Sequence, residues 1–112
     1  MTQHWDVIII GAGTVGLPAA VFASGRCDNV LLLDAAPEIG GTLHLSGGQM
    51  SAAGTRLQKE RGIKDSAALH FEDVIRISKN TVDRDLVRLA IDNAAATLDW
   101  LETIGFQPLP AH

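Results

Sequence analysis

Three glycines and one acid carry the first chemical signal. Gly11, Gly13 and Gly16 stand in the run Gly11-Ala12-Gly13-Thr14-Val15-Gly16, and Asp34 follows 18 residues after Gly16. Glycine at the first position permits a tight turn. At the second, the missing Cβ lets a pyrophosphate approach the backbone. At the third, it lets a helix pack close to a strand. The free N–H groups of the first helical turn, and the positive end of its dipole, then face the phosphates. A carboxylate at Asp34 accepts hydrogen bonds from ribose hydroxyls and disfavours a 2′-phosphate, so NADP fits less well. The chemistry expected is dinucleotide binding; the alternative is a plain glycine-rich turn.

A second cluster follows the acid. Gly40-Gly41 and Gly47-Gly48 put two glycine pairs seven residues apart. Paired glycines imply backbone that bends sharply or lies against something flat. Leu43, Leu45, Met50, Ala52 and Ala53 around them are not surface-loop composition. Backbone lining a ligand is therefore expected here in preference to a flexible loop. Other chemistry finds little support. His4, His44, His70 and His112 are scattered, with His70 expected on the polar side of a helix. None is paired at metal-ligand spacing, so no metal site is expected. No Ser/His/Asp set or carboxylate pair emerges from the spacing. Cys27 is the single cysteine, which excludes an internal disulfide and fits a reducing compartment. It reads as a small residue near a turn, not as a catalytic thiol.

Several elements must position these residues. Val7 to Ile10 and Val30 to Leu33 are continuous apolar runs, as expected for parallel strands covered on both faces. Trp5, just before the first, has the place of a cover for the sheet bottom. A helix is expected from about Val15 to Ser24. Pro18 is tolerated in its first turn and Gly25 ends it. Asp28-Asn29 turn the chain into the second strand. Arg56 to Gly62 is polar. Asp65 is the expected N-cap of a helix through about Ile77, with Ala68, Phe71, Val74 and Ile75 near one face. Lys79-Asn80-Thr81 break it. Asp83 caps a longer helix from Arg84 to Thr103. There Val87, Ala90, Ile91, Ala94, Leu98, Leu101 and Ile104 recur at three- and four-residue spacing. Gly105 stops it, and Phe106 to His112, with Pro108 and Pro110, reads as extended or irregular. Glu72, Asp73, Arg76, Arg84, Asp85, Arg88 and Asp92 read as solvated faces. The organisation expected is an α/β, Rossmann-like βαβ unit over residues 5–34, a glycine-rich loop over 35–56 and a helical segment over 65–105.

Composition narrows the function class. The 112 residues are 46% hydrophobic with a net charge of −4, which argues against nucleic acid or an anionic membrane as partner. No apolar run approaches the roughly 20 residues of a membrane span. The first strand starts too close to Met1 for a signal peptide, so a cytoplasmic location is expected. Two strands make a sheet too small to stand alone. Exposed apolar surface is expected, belonging against further polypeptide: a missing remainder or a second subunit.

Four segments together resemble the flavoprotein subunit of the fumarate reductase/succinate dehydrogenase superfamily, and above all its soluble branch of flavocytochrome c fumarate reductases and 3-ketosteroid dehydrogenases. They are IIIGAGTVGLPAA, LLLDAAPEIGGT, LSGGQMSAAGTRLQKERGIKDS and DRDLVRLAIDNAAATLDWLETIGF. The resemblance implies FAD as the cofactor and the N-terminal part of an FAD-binding domain over residues 1–112. It implies that Gly11, Ala12, Gly13, Thr14, Val15 and Gly16 surround the ADP pyrophosphate and that Asp34 holds the adenosine ribose. Gly40, Gly41, Thr42, Leu43, Ser46, Gly47 and Gly48 would lie along the pyrophosphate and isoalloxazine. The family often has Glu-Lys where this chain has Asp34-Ala35. In membrane-bound members a loop histidine holds FAD covalently. Aligned on Met50-Ser51-Ala52-Ala53, that position is Thr42, so non-covalent FAD is expected, with His44 the other candidate if the alignment shifts. The family's substrate-binding and proton-donating residues come from later sequence, so catalytic residues are expected outside this chain.

Three functions remain open on these grounds. The first is the FAD-binding segment of an oxidoreductase that moves a hydride between flavin N5 and a substrate carbon. The second is an NAD-binding dehydrogenase domain, against which the glycine pairs after Asp34 argue. The third is a non-catalytic flavin-binding or interaction module.

Overall fold

The computed structural model describes residues 3–109. Met1, Pro110 and His112, named above in the two terminal segments, lie outside the described residues. The chain divides into two compact units, the first running through Gln49 and the second starting at Met50.

In the first unit the two apolar runs form β1 (Val7–Ile10) and β2 (Val30–Leu33). They pair in parallel, with Val7 opposite Val30 and Ile10 opposite Leu33. Parallel strands need a crossover, and α1 (Gly16–Ser24) supplies it and packs on both strands. Asp6 fixes the register. Its N–H donates to the Asn29 carbonyl at 2.9 Å and its Oδ2 accepts the Asn29 N–H at 3.0 Å. Pro18 falls in the first turn of α1, where its missing N–H costs nothing. Gly25 does end the helix, but in a right-handed conformation (φ −78°) and not a left-handed one. Along β1 the cover is one-sided. Val7 and Ile9 are half-buried, while Ile8 and Ile10 are 56% and 86% exposed.

The second unit holds α2 (Arg56–Glu60), α3 (Ala67–Ile77) and α4 (Arg84–Thr103). The short α2 lies where the sequence suggested only a polar stretch. A capping box makes it: Thr55 Oγ1 accepts the Gln58 N–H, and Gln58 Oε1 accepts the Thr55 N–H. The cap of α3 is Ser66, one residue later than expected, its Oγ accepting the Leu69 N–H at 3.2 Å. Asp65 instead accepts from the Ser66 N–H and from Gln58 Nε2. Asp83 caps α4 as expected. Lys79 and Asn80, both at positive φ, make the reversal between the two helices.

Phe71 of α3 and Ile91 of α4 are the buried apolar pair of this unit's helices. Ala68, Ala90 and Ile104, expected on the inner faces, are exposed. His70 is half-buried with its Nδ1 out of solvent, not on a polar face, because it shares a stripe with Ala67, Phe71 and Val74. Arg84 and Arg88 are exposed, as expected for a solvated face, but they also reach the aromatic of α3. Their guanidinium carbons lie 5.3 and 3.6 Å from the Phe71 ring centre, a cation–π arrangement over the aromatic. Among the described residues no helix is long and apolar enough to cross a membrane.

Candidate cofactor-binding site

The first unit assembles the candidate residues. Gly11 turns the chain off β1 at φ +102°, its N–H donating to the Leu33 carbonyl at 2.7 Å. Ala12 follows, 1% exposed, with both backbone groups taken. Its N–H donates to Asp34 Oδ2 at 2.5 Å, and its carbonyl accepts the Gly40 N–H at 2.7 Å. Gly13 has open space where a Cβ would stand. Gly16 does not: a Cβ there would lie 1.6 Å from the Gly11 carbonyl oxygen. That close approach seats α1 against the turn.

The start of α1 is open. Val15, the N-cap, is 80% exposed and contributes no side-chain cap, and no acid occupies the first turn. Among the described residues the other three α-helices begin with Thr55, Ser66 and Asp83 as side-chain caps. The first N–H groups of a helix have no partner inside it. An uncapped start behind a glycine turn, with Thr14 also exposed, is suited to a phosphate.

Asp34 lies just past β2, exposed. Its Oδ2 takes the Ala12 N–H and its Oδ1 takes the Ala36 N–H at 2.7 Å, an Asx-turn. The Ala12 bond first, and the Ala36 bond second, hold its carboxyl below the ordinary carboxylate range. A carboxylate offers about four acceptor positions, so room remains for ribose hydroxyls.

The first glycine pair closes onto the turn. Gly40 is buried at φ +114° and Gly41 sits at φ +53°. Gly41 opens a 3-10 turn, Gly41–Leu45, that carries Thr42 and Leu43. His44 Nε2 donates to the Ile39 carbonyl at 2.7 Å, and a Cβ on Gly40 would stand 2.9 Å from that nitrogen. A carbonyl can only accept, so Nε2 carries the proton. A Cβ on Gly41 would lie 3.4 Å from Gly13 Cα. The second pair lies further along the same loop. Ser46 Oγ donates to the Leu43 carbonyl at 3.1 Å and accepts the Gly48 N–H at 3.2 Å, bending the chain at Gly47 and Gly48.

Bonds and close approaches thus join Gly11–Gly16, Asp34 and Gly40–Gly41, while Ser46–Gly48 fold on their own loop. Sequence reading missed Ala36, Ile39 and His44 as supports. Ala36 had a signal, the acid two residues before it; the His44 ring had none.

An open glycine turn beside an exposed carboxylate suits a dinucleotide, and comparison with known proteins names the dinucleotide. A family model described as an FAD binding domain matches residues 6–111. A fumarate reductase (cytochrome) of Shewanella frigidimarina is 36% identical over 89% of this chain and 18% of its own length. A urocanate reductase of Eggerthella lenta is 37% identical over 90% of this chain and 17% of its own. A solved structure described as the open conformation of a flavocytochrome c3 fumarate reductase superposes with a TM-score of 0.81 at 32% identity, over 93% of this chain and 18% of that one. The chain therefore spans less than a fifth of these relatives. Open Gly13, uncapped α1 and acceptor-rich Asp34 fit the ADP half of FAD. The chain belongs to the family of FAD binding domains, and FAD is its cofactor.

Proposed function

We propose that this chain is the FAD-holding segment of a flavin-dependent oxidoreductase acting on an activated C=C bond. The observation that supports it most directly is the joining of Gly11–Gly16, Asp34 and Gly40–Gly41 in a chain similar to fumarate and urocanate reductases. The chemistry supplied by bound FAD is hydride transfer between its N5 and a substrate carbon, which reduces or forms that bond. This chain's residues bind and orient. The N–H groups of Val15 and Gly16 receive the pyrophosphate, Gly13 admits it, and Asp34 accepts from the ribose. Gly41, Thr42, Leu43, Gly47 and Gly48 run along the flavin side. The βαβ unit is of Rossmann type.

FAD is held without a covalent bond. Thr42 cannot form the histidyl link, and the His44 ring is engaged with the Ile39 carbonyl through Nε2. Groups that bind substrate and deliver a proton come from further polypeptide, which also covers the bare sheet face. The setting is cytoplasmic, in keeping with the lone Cys27.

The test is an absorbance spectrum of the purified chain before and after denaturation. Flavin bands near ~450 nm, released on denaturation, are expected. Flavin that stays with the denatured chain would overturn the non-covalent assignment. A colourless chain that also fails to take up added FAD would overturn binding by this segment alone.

A further inference from the structure

Asp34 is assigned above to the ribose, and the geometry gives it a second task. Ala12 is buried, and its two backbone groups reach two other segments: N–H to Asp34 Oδ2 at 2.5 Å, carbonyl to the Gly40 N–H at 2.7 Å. Asp34 is itself fixed by the Ala36 N–H on its other oxygen. One chain of hydrogen bonds therefore runs from the end of β2, through the glycine turn, to the Gly40-Gly41 corner. The carboxylate length matters too. Asp reaches the N–H two residues on as an Asx-turn, and one more methylene would move both oxygens off these donors.

We propose that Asp34 is a positioning residue for the pyrophosphate turn and the Gly40-Gly41 corner, in addition to any contact with ribose. The carboxylate pulls on Ala12, and Ala12 carries its position to Gly40. The effect on cofactor affinity then has two parts, one through the ribose hydroxyls and one through the turn. This rests on the assignment of the turn to the cofactor's pyrophosphate.

The experiment compares the full chain with Asp34→Asn, which keeps the size but has one acceptor oxygen for two N–H groups. Without ligand, backbone amide exchange is expected to quicken about tenfold at Ala12 and Gly40, as for a lost charged hydrogen bond. The ladder amides of β1 and β2 serve as the control for global unfolding. Unchanged exchange at Ala12 and Gly40 would overturn the proposal. If the ladder is lost in Asp34→Asn, Asp34→Glu and an acid titration of the wild type replace it: the Ala12 amide resonance must move as Asp34 protonates, and a fixed resonance overturns the proposal. With ligand, FAD is compared with an analogue whose adenosine lacks both ribose hydroxyls. Asp34→Asn is expected to weaken the analogue about tenfold as well; an unchanged analogue affinity means that Asp34 acts on ribose alone and overturns the second task. Failure of the wild type to bind FAD would count against the cofactor reading of the turn, while the exchange arm still decides the positioning.

Discussion

Gly16 is the position in the site with least tolerance. The nearest atom to a Cβ there is a backbone oxygen at 1.6 Å, and the next is the Gly11 carbonyl carbon at 2.8 Å. No rotamer change relieves such a contact, so either α1 or the turn must move. Gly16→Ala is expected to weaken FAD binding at least tenfold and to lower stability by about 1–3 kcal/mol, the usual cost of overpacking. Flavin fluorescence titration and thermal melting would check both, and a variant that binds as wild type would contradict the close packing. Gly13→Ala differs: its Cβ meets nothing in the chain, so its fold should survive while the ligand's approach is blocked. Asp34 adds a pH dependence with a definite sign. Its carboxyl is held below the ordinary value of about 3.9, chiefly by the Ala12 N–H. A depressed folded-state pKa contributes stability above the unfolded value, and the contribution disappears as pH falls through the folded one. The melting difference between wild type and Asp34→Asn should therefore be constant from pH 7 to about 5 and close below about 4. It should be small, because the exposed group is screened by solvent. A difference that widens with acid would refute this.

Among the elements, α2 shows how a short helix depends on its first residue. Thr55 is 2% exposed and its hydroxyl accepts the Gln58 N–H at 3.2 Å. Gln58 Oε1 returns the favour to the Gly54 and Thr55 N–H groups. Thr55→Val keeps the shape and deletes the acceptor, so a loss of about 1–2 kcal/mol is expected in urea unfolding. Thr55→Ser should recover most of it; equal midpoints for Val and Thr would show the cap to be idle. This helix also marks the limit of sequence reading. Five residues are too few for a hydrophobic period, and the one signal that could have marked it, the Thr55-x-x-Gln58 capping pair, went unread. The strands were legible because apolar runs ended by glycine and acid have few other uses. The long α4 was legible from its three- and four-residue spacing. At α3, Asp65 and Ser66 are both good caps, and which one wins depends on Gln58, seven residues before Asp65, which takes the acid away. In the site, the glycines and Asp34 could be read as ligand-facing, but not the internal grip on Ala12. That bond depends on Gly11 turning the chain off β1 at positive φ and on the parallel pairing that sets Ile10 opposite Leu33, which together bring close two groups 22 residues apart in the chain.

On the scale of the whole molecule, the bare sheet face is what a βαβ unit leaves when one helix covers one side. Ile8 and Ile10 alternate with half-buried Val7 and Ile9 along β1. Alternation in exposure without alternation in polarity is the informative feature. A strand that faces water on one side normally places polar residues there, whereas parallel strands buried on both faces are apolar throughout. Leu33, at the end of β2, is 46% exposed and extends the same character. The composition of β1 thus fits a second cover, the further polypeptide proposed above, and relatives more than five times as long have chain enough to supply it. The double variant Ile8→Thr, Ile10→Thr separates the two uses of these side chains. Threonine keeps the β-branch that strands favour and removes apolar surface. In this chain alone the change should reduce self-association and binding of a hydrophobic dye, and shift stability by no more than about 1 kcal/mol. A loss of several kcal/mol would mean that the two isoleucines already lie in a core, and the case for a second cover would fall. If the small shift is found, adding the covering polypeptide should reverse the order: the wild type would then gain stability from the contact and the threonine variant would not.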